Sequence, residues 1–205
     1  MRSRCGQGRA HPRRARPRAR ALSGPSLTSP LAALSSLATR FALRRCAAVG
    51  AGARVFGHVI VRGGGVVRVG RGVLLDASTA PIELHAAAGA ELVLGDDVVV
   101  FGGASLEAWR SITVGARTRL GPFAKLLDSH FHPLTGPRHA PQDATFVVVE
   151  EDCEVGPGCT LTAGAHVGRG SSLVGGTVVT RRFPPGVVLG GVPAAVRGRA
   201  DGGRS

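Results

Sequence analysis

From Val149 to Val179 an aliphatic residue stands at every sixth position: Val149, Val155, Leu161, Val167, Leu173 and Val179. An α-helix repeats every 3.6 residues and a strand every 2, so neither holds a register of six. If each six forms one side of a three-sided coil, residues 18 apart, such as Val155 and Leu173, stack on each other. An internal repeat of this kind decides the fold, and it predicts a parallel β-helix. The intervening positions agree with it. Cys153, Cys159, Ala165, Ser171 and Thr177 follow their anchors by four and are small enough for an inner corner. Upstream the pattern recurs at Leu94, Val100 and Leu106, with Val98 and Ala104 at the small positions, and lapses at Arg110. A second phase starts at Val114 and runs through Leu120 to Leu126, with Thr118 and Ala124 at the small positions. The slip of two predicts a distorted coil near Trp109. The signal fades from Leu75 and Val69 toward Val55, so about five coils are expected.

Charge divides the chain. Residues 1–45 carry 11 arginines and no acid, the first carboxylate is Asp76, and the remainder is close to neutral. Residues 1–25 read as a disordered Arg-rich arm, since they hold no apolar periodicity. They also lack the apolar run of a secretory signal. An Arg-rich tail attracts phosphates without sequence preference, but no aromatic residues are interleaved and no specific nucleic-acid partner is expected. Residues 26–48 read as a short helix with Leu31, Leu34, Leu37 and Phe41 on one face, capping the open end of the coil. The alternative for this helix is weak association with an anionic membrane surface. The β-helix domain spans 49–205. Cys153 and Cys159 act as compact apolar residues without disulfide or zinc spacing, and the cysteine usage fits a cytoplasmic location.

The repeat is interrupted between Leu126 and Val147 by LLDSHFHPLTGPRHAPQDATF. An excursion of this length from a regular coil is usually functional, and 127–146 is the expected active-site loop. It holds His130, His132 and His139; in an extended segment Asp128, His130 and His132 project to one side.

These features resemble the hexapeptide-repeat acyltransferases over about residues 46 to 199. Two stretches carry the resemblance, Asp128 to Pro133 and the tail VGGTVVTRRFPPGVVLGGVPAAVRGR, whose end is the closing segment 183–205. The chain is similar to the subgroup that includes the maltose, galactoside and surface-polysaccharide O-acetyltransferases. The resemblance implies a left-handed parallel β-helix, a homotrimer with sites between subunits, and transfer of an acetyl or short acyl group. Acetyl-coenzyme A is the implied donor and a hydroxyl of a sugar or glycan precursor the implied acceptor. It makes His132 the general base, with Asp128 a candidate to fix its tautomer and His130 a second acid/base candidate or a structural residue. It places Gly175 at the pantetheine arm, Thr180 and Arg181 at the ADP, Arg197 near the adenosine end, and Arg182 as a further phosphate contact. A metal site built on His130 and His132, as in the γ-class carbonic anhydrases of the same fold, lacks the third histidine spacing, and no metal is expected. Two positions at the acceptor groove depart from the subgroup: Phe101 replaces a frequent Asn, and Glu154 a frequent Trp. The alternative function is a non-catalytic β-helix scaffold tethered through its Arg-rich arm to nucleic acid or membrane.

Overall fold

The computed structural model describes residues 39–129 and 145–200. The arm, most of the expected helix, His130, His132 and His139 lie outside the described residues.

Short parallel strands wind around three faces, and a column of apolar residues, buried except at its upper end, runs down each. The first face stacks Val49, Val69, Leu94, Val114, Val149, Val167 and Phe183. The second stacks Val55, Leu75, Val100, Leu120, Val155, Leu173 and Leu189. The third stacks Val61, Leu84, Leu106, Leu126, Leu161 and Val179. Seven strands line the first face, so six turns separate its first rung from its last, one more than the sequence predicted. The expected stacking of Val155 on Leu173 holds. The small residues Cys153, Cys159, Ala165, Ser171 and Thr177 are all buried at the corners.

The slip near Trp109 is not a distortion. The lower coils use strands of two residues with one inward side chain, whereas strands such as Glu91–Leu94, Ser111–Val114 and Phe146–Val149 have two. A fourth buried column, Val67, Leu92, Ile112 and Val147, therefore widens the first face in the upper coils. The added length falls where the third face turns into the first. That step takes six positions from Leu161 to Val167, but eight from Val61 to Val69 and from Leu106 to Val114. The excursion after Leu126 leaves from the same corner. A prism with a wide upper end and a narrow lower end results.

Both ends are closed. Residues 39–42 are helical; Thr39 Oγ1 accepts the Val55 N–H at 3.2 Å, and Leu43 is buried in the core. Phe41, expected on the docking face, is 70% exposed, because Thr39 and Leu43, one turn apart, face the coil instead. The first strand already starts at Ala48, inside the segment assigned to the helix. At the lower end Ala195–Arg199 runs antiparallel to Val187–Gly190 and occupies the open edge of the second face. The closing segment is thus narrower than 183–205, since Phe183 and Val187–Gly190 still belong to rungs.

Candidate active site

The excursion leaves and rejoins the prism at one point. The Thr145 N–H donates to the Asp128 carbonyl at 2.9 Å, and Leu127 and Phe146 on either side belong to strands. The loop is therefore shorter at each end than 127–146. The Asp128 side chain is fully buried and accepts three backbone N–H groups, from Trp109 and Arg110 at 2.7 Å and Ser111 at 2.6 Å. These donors belong to the widened corner, where the ladder offers them no carbonyl, and a buried N–H must be paired. Asp128 is thus part of the corner and not a solvated loop carboxylate. Its expected role on the His132 imidazole lies outside the described residues.

Thr180, Arg181 and Arg182 are exposed at the same corner, further down the prism. Arg182 pairs in register with His166, and its guanidinium lies 5.2 Å from the centre of the Phe146 ring, at the point where the excursion rejoins. Arg181 lies 5.1 Å from the Phe183 ring. Among the described residues neither arginine has a carboxylate partner. Gly175 and Arg197 stand apart from them, at the opposite edge of the third face. The Arg197 Nε–H donates to the Gly190 carbonyl at 3.2 Å, and Gly175 packs against Pro157. The five expected cofactor residues thus form two groups, and only Thr180 to Arg182 share the corner of the loop.

Phe101 and Glu154 both point outward from the second face. Phe101 is half-buried beneath the Arg119 guanidinium, 5.4 Å from the ring centre. Glu154 lies in register between Arg119 and Ser172. Within one chain neither is on the face that leads to the excursion.

Two groups of ionisable side chains were not visible in the sequence. On the first face His166 Nε2 meets Glu150 Oε1 at 2.8 Å, while Glu150 Oε2 accepts the Arg169 N–H at 2.7 Å. The His166 contact, and then the Arg169 N–H, hold the Glu150 carboxyl below its ordinary range. On the third face His85 packs edge-on to Trp109, with ring centres 5.7 Å apart at 74°, beside the corner that Asp128 holds. Glu83 and Glu107 flank it and are half-buried. For His85 and Trp109 the signal was register across coils of unequal length, which a six-residue period does not supply; Glu150 and His166 lie in regular coils, where the 18-residue stack sets His166 on Val148 and so brings it near Glu150. The thiols of Cys153 and Cys159 donate to the Gly168 and Val174 carbonyls, and burial pushes Cys153 up to about 11. Protonated at neutral pH, these thiols are poor nucleophiles.

No family model matches the chain. It is 36% identical over 56 residues to 2,3,4,5-tetrahydropyridine-2,6-dicarboxylate N-acetyltransferases of Staphylococcus aureus, among them those of strains JH9 and COL. That match covers 27% of this chain and 23% of those enzymes, so the chain spans less than a quarter of the relatives' length. Among solved structures it is similar to a single-residue variant of AntD, an N-acyltransferase from Bacillus cereus in complex with dTDP and coenzyme A. The TM-score is 0.65 at 13% identity, over 78% of this chain and 87% of that one. It is also similar to the hexapeptide-repeat acetyltransferase VCA0836 from Vibrio cholerae in complex with acetyl-coenzyme A. There the TM-score is 0.56 at 18% identity, over 86% and 92% of the two chains. The shared fold is the left-handed parallel β-helix.

Proposed function

We propose that this chain is a coenzyme A-dependent acyltransferase that moves an acetyl or other short acyl group to a sugar or glycan precursor, with a hydroxyl as the acceptor group. The observation that carries this reading is the corner shared by the root of the histidine-bearing excursion and by Arg181 and Arg182, which hold no carboxylate among the described residues. Guanidinium groups without carboxylate partners suit the phosphates of the donor. The similar proteins named above support the donor class, since each is named as an acetyl- or acyltransferase and the two structures hold coenzyme A or acetyl-coenzyme A.

In this reading His132 takes the proton of the acceptor hydroxyl as the oxygen bonds to the thioester carbon. The tetrahedral oxyanion collapses, the carbon–sulfur bond breaks, and His132 returns the proton to the departing thiolate. Thr180, Arg181 and Arg182 hold the donor phosphates, and Gly175 and Arg197 line the far edge of the third face. Because these two groups lie at different corners of one chain, a homotrimer with sites between subunits is the natural arrangement. Buried, free Cys153 and Cys159 are compatible with a cytoplasmic setting.

His132→Ala should lower turnover by about 10²–10⁴, the usual worth of a positioned general base, with coenzyme A affinity unchanged. Arg181→Ala should mainly weaken coenzyme A binding. Thiol release from acetyl-coenzyme A across a panel of sugar acceptors reads the first, and calorimetric titration with coenzyme A the second. If both substitutions are silent, the non-catalytic scaffold takes the place of the enzyme.

A further inference from the structure

The wide end of the prism differs from the rest in charge. Residues 39–75 hold seven arginines and no carboxylate. Arg68 pairs with Glu91 and Arg71 with Asp96, both on the coil below. The other five, Arg40, Arg44, Arg45, Arg54 and Arg62, are exposed, and among the described residues none of them holds a carboxylate. Two acids, Asp76 and Glu83, stand one rung down, beneath Phe56 and Ile60. Asp76 is engaged by its neighbour Ser78, whose hydroxyl and N–H donate to it at 2.6 and 3.2 Å. Residues 1–38 add eight arginines and again no acid, so the charge continues toward the start of the chain.

The same end exposes apolar side chains among these arginines. Thr39 and Leu43 turn toward the coil, which leaves Phe41 on the outer side, 70% exposed, with the Arg44 guanidinium 4.2 Å from its ring centre. Phe56 and Arg54 alternate with the inward Val55 in the strand Arg54–Arg62 and so project from the second face. Phe56 is 49% exposed, and Val49, at the top of the first face, 41%. A concavity of about 480 Å³ opens between the cap and that strand, with Phe41, Arg44, Arg45 and His58 in its lining and no carboxylate. Single exposed apolar residues are ordinary on a protein surface, but a group of them within a one-sign charged patch marks a binding face.

We propose that the first coil and its cap form a docking surface for an anionic phospholipid membrane. The arginines meet the lipid phosphates, and Phe41, Phe56 and Val49 reach the boundary between headgroups and acyl chains. The chemistry favours a lipid surface over a nucleic acid. Bases stack on bare aromatic faces, whereas one Phe41 face already lies under Arg44 and Val49 has no aromatic face to offer. Apolar side chains ringed by arginines suit a partner that has apolar depth beneath a layer of phosphates. The root of the excursion lies three rungs below Val61 in the third column, at Leu126, or about 15 Å from the docked end. It stays clear of the lipid, so the proposal stands apart from whatever reaction takes place there.

The test is co-sedimentation of the full chain with vesicles of phosphatidylcholine and phosphatidylglycerol, against vesicles of phosphatidylcholine alone. Binding should require the anionic lipid and fall as salt is raised. An arginine at such a surface is worth about fivefold in partitioning, so Arg44→Gln with Arg45→Gln should weaken binding about twenty-five-fold. Arg119→Gln with Arg199→Gln, the same change of charge away from the first coil, should weaken it less than about twofold because of screening. Phe41→Ser with Phe56→Ser should weaken it about tenfold at unchanged charge. In Phe41→Trp the added indole emission should shift to the blue on mixing with anionic vesicles, a change that attraction through the N-terminal arginines alone would not produce. Equal losses from the two arginine pairs, silent phenylalanine substitutions or equal binding to neutral vesicles overturn the proposal. An oligonucleotide that displaces the chain from the vesicles at equal phosphate concentration overturns it as well and makes nucleic acid the partner of this end.

Discussion

At the scale of single residues, Asp128 carries the most structure for its size. One carboxylate satisfies three consecutive N–H groups, and its own carbonyl closes the loop through Thr145. Asp128→Ala would strand three donors in a half-buried corner. Each lost partner costs about 1–3 kcal/mol, so a loss of about 4 kcal/mol in urea unfolding is expected, with Asp128→Asn intermediate because an amide offers a single neutral acceptor oxygen. A loss below about 1 kcal/mol would mean that water replaces the carboxylate. The sequence placed Asp128 at the root of the excursion but did not show its bonds to the backbone. Its donors lie 17, 18 and 19 residues upstream, and whether they meet it depends on the length of a corner that the period of six does not encode. Arg181 and Arg182 were easier to place, because the coils between Val149 and Val179 have no insertions to shift their register.

At the scale of the coil, the glycines fall into two kinds. Gly156 has no room for a side chain: a Cβ there would stand 2.5 Å from the Leu173 carbonyl oxygen and 2.7 Å from the Gly175 nitrogen, both backbone atoms of the next coil. Gly158, two residues on, has open space but a φ of +65°. Gly156→Ala should therefore cost about 3 kcal/mol or more, since the ladder itself must shift. Gly158→Ala should cost about 1 kcal/mol, the strain of a left-handed alanine. Thermal unfolding of the two variants separates the cases, and equal losses would show that spacing between coils is not limiting. Both glycines were legible as corner residues, but which kind each is could not be read without the neighbouring coil. The aliphatic columns of the lower coils were legible outright. The fourth column, Val67 to Val147, was not, because its members sit two residues from their anchors and break the period they support.

At the scale of the whole molecule, a coil of stacked rungs has two vulnerable ends, because each terminal strand presents unpaired N–H and C=O groups. At the lower end Ala195–Arg199 pairs with Val187–Gly190, and the Ala194 N–H donates to the Val178 carbonyl at 2.8 Å. A chain ending at Gly191 should lose this seal, unfold at a lower temperature and run as higher oligomers in size-exclusion chromatography. Elution and unfolding identical to the full chain would show that the lower edge needs no cover. The corner between the third and first faces has a different consequence. It absorbs four, six, eight, ten or twenty-three positions between anchors, as from Val179 to Phe183, Leu161 to Val167, Leu106 to Val114, Leu84 to Leu94 and Leu126 to Val149. Each rung restarts on the first face whatever the count, so this seam tolerates insertion without changing which side chains below it face inward. Interior and chemistry are uncoupled there, and the segment that carries the histidines can change in length or content while the lattice beneath it stays in phase.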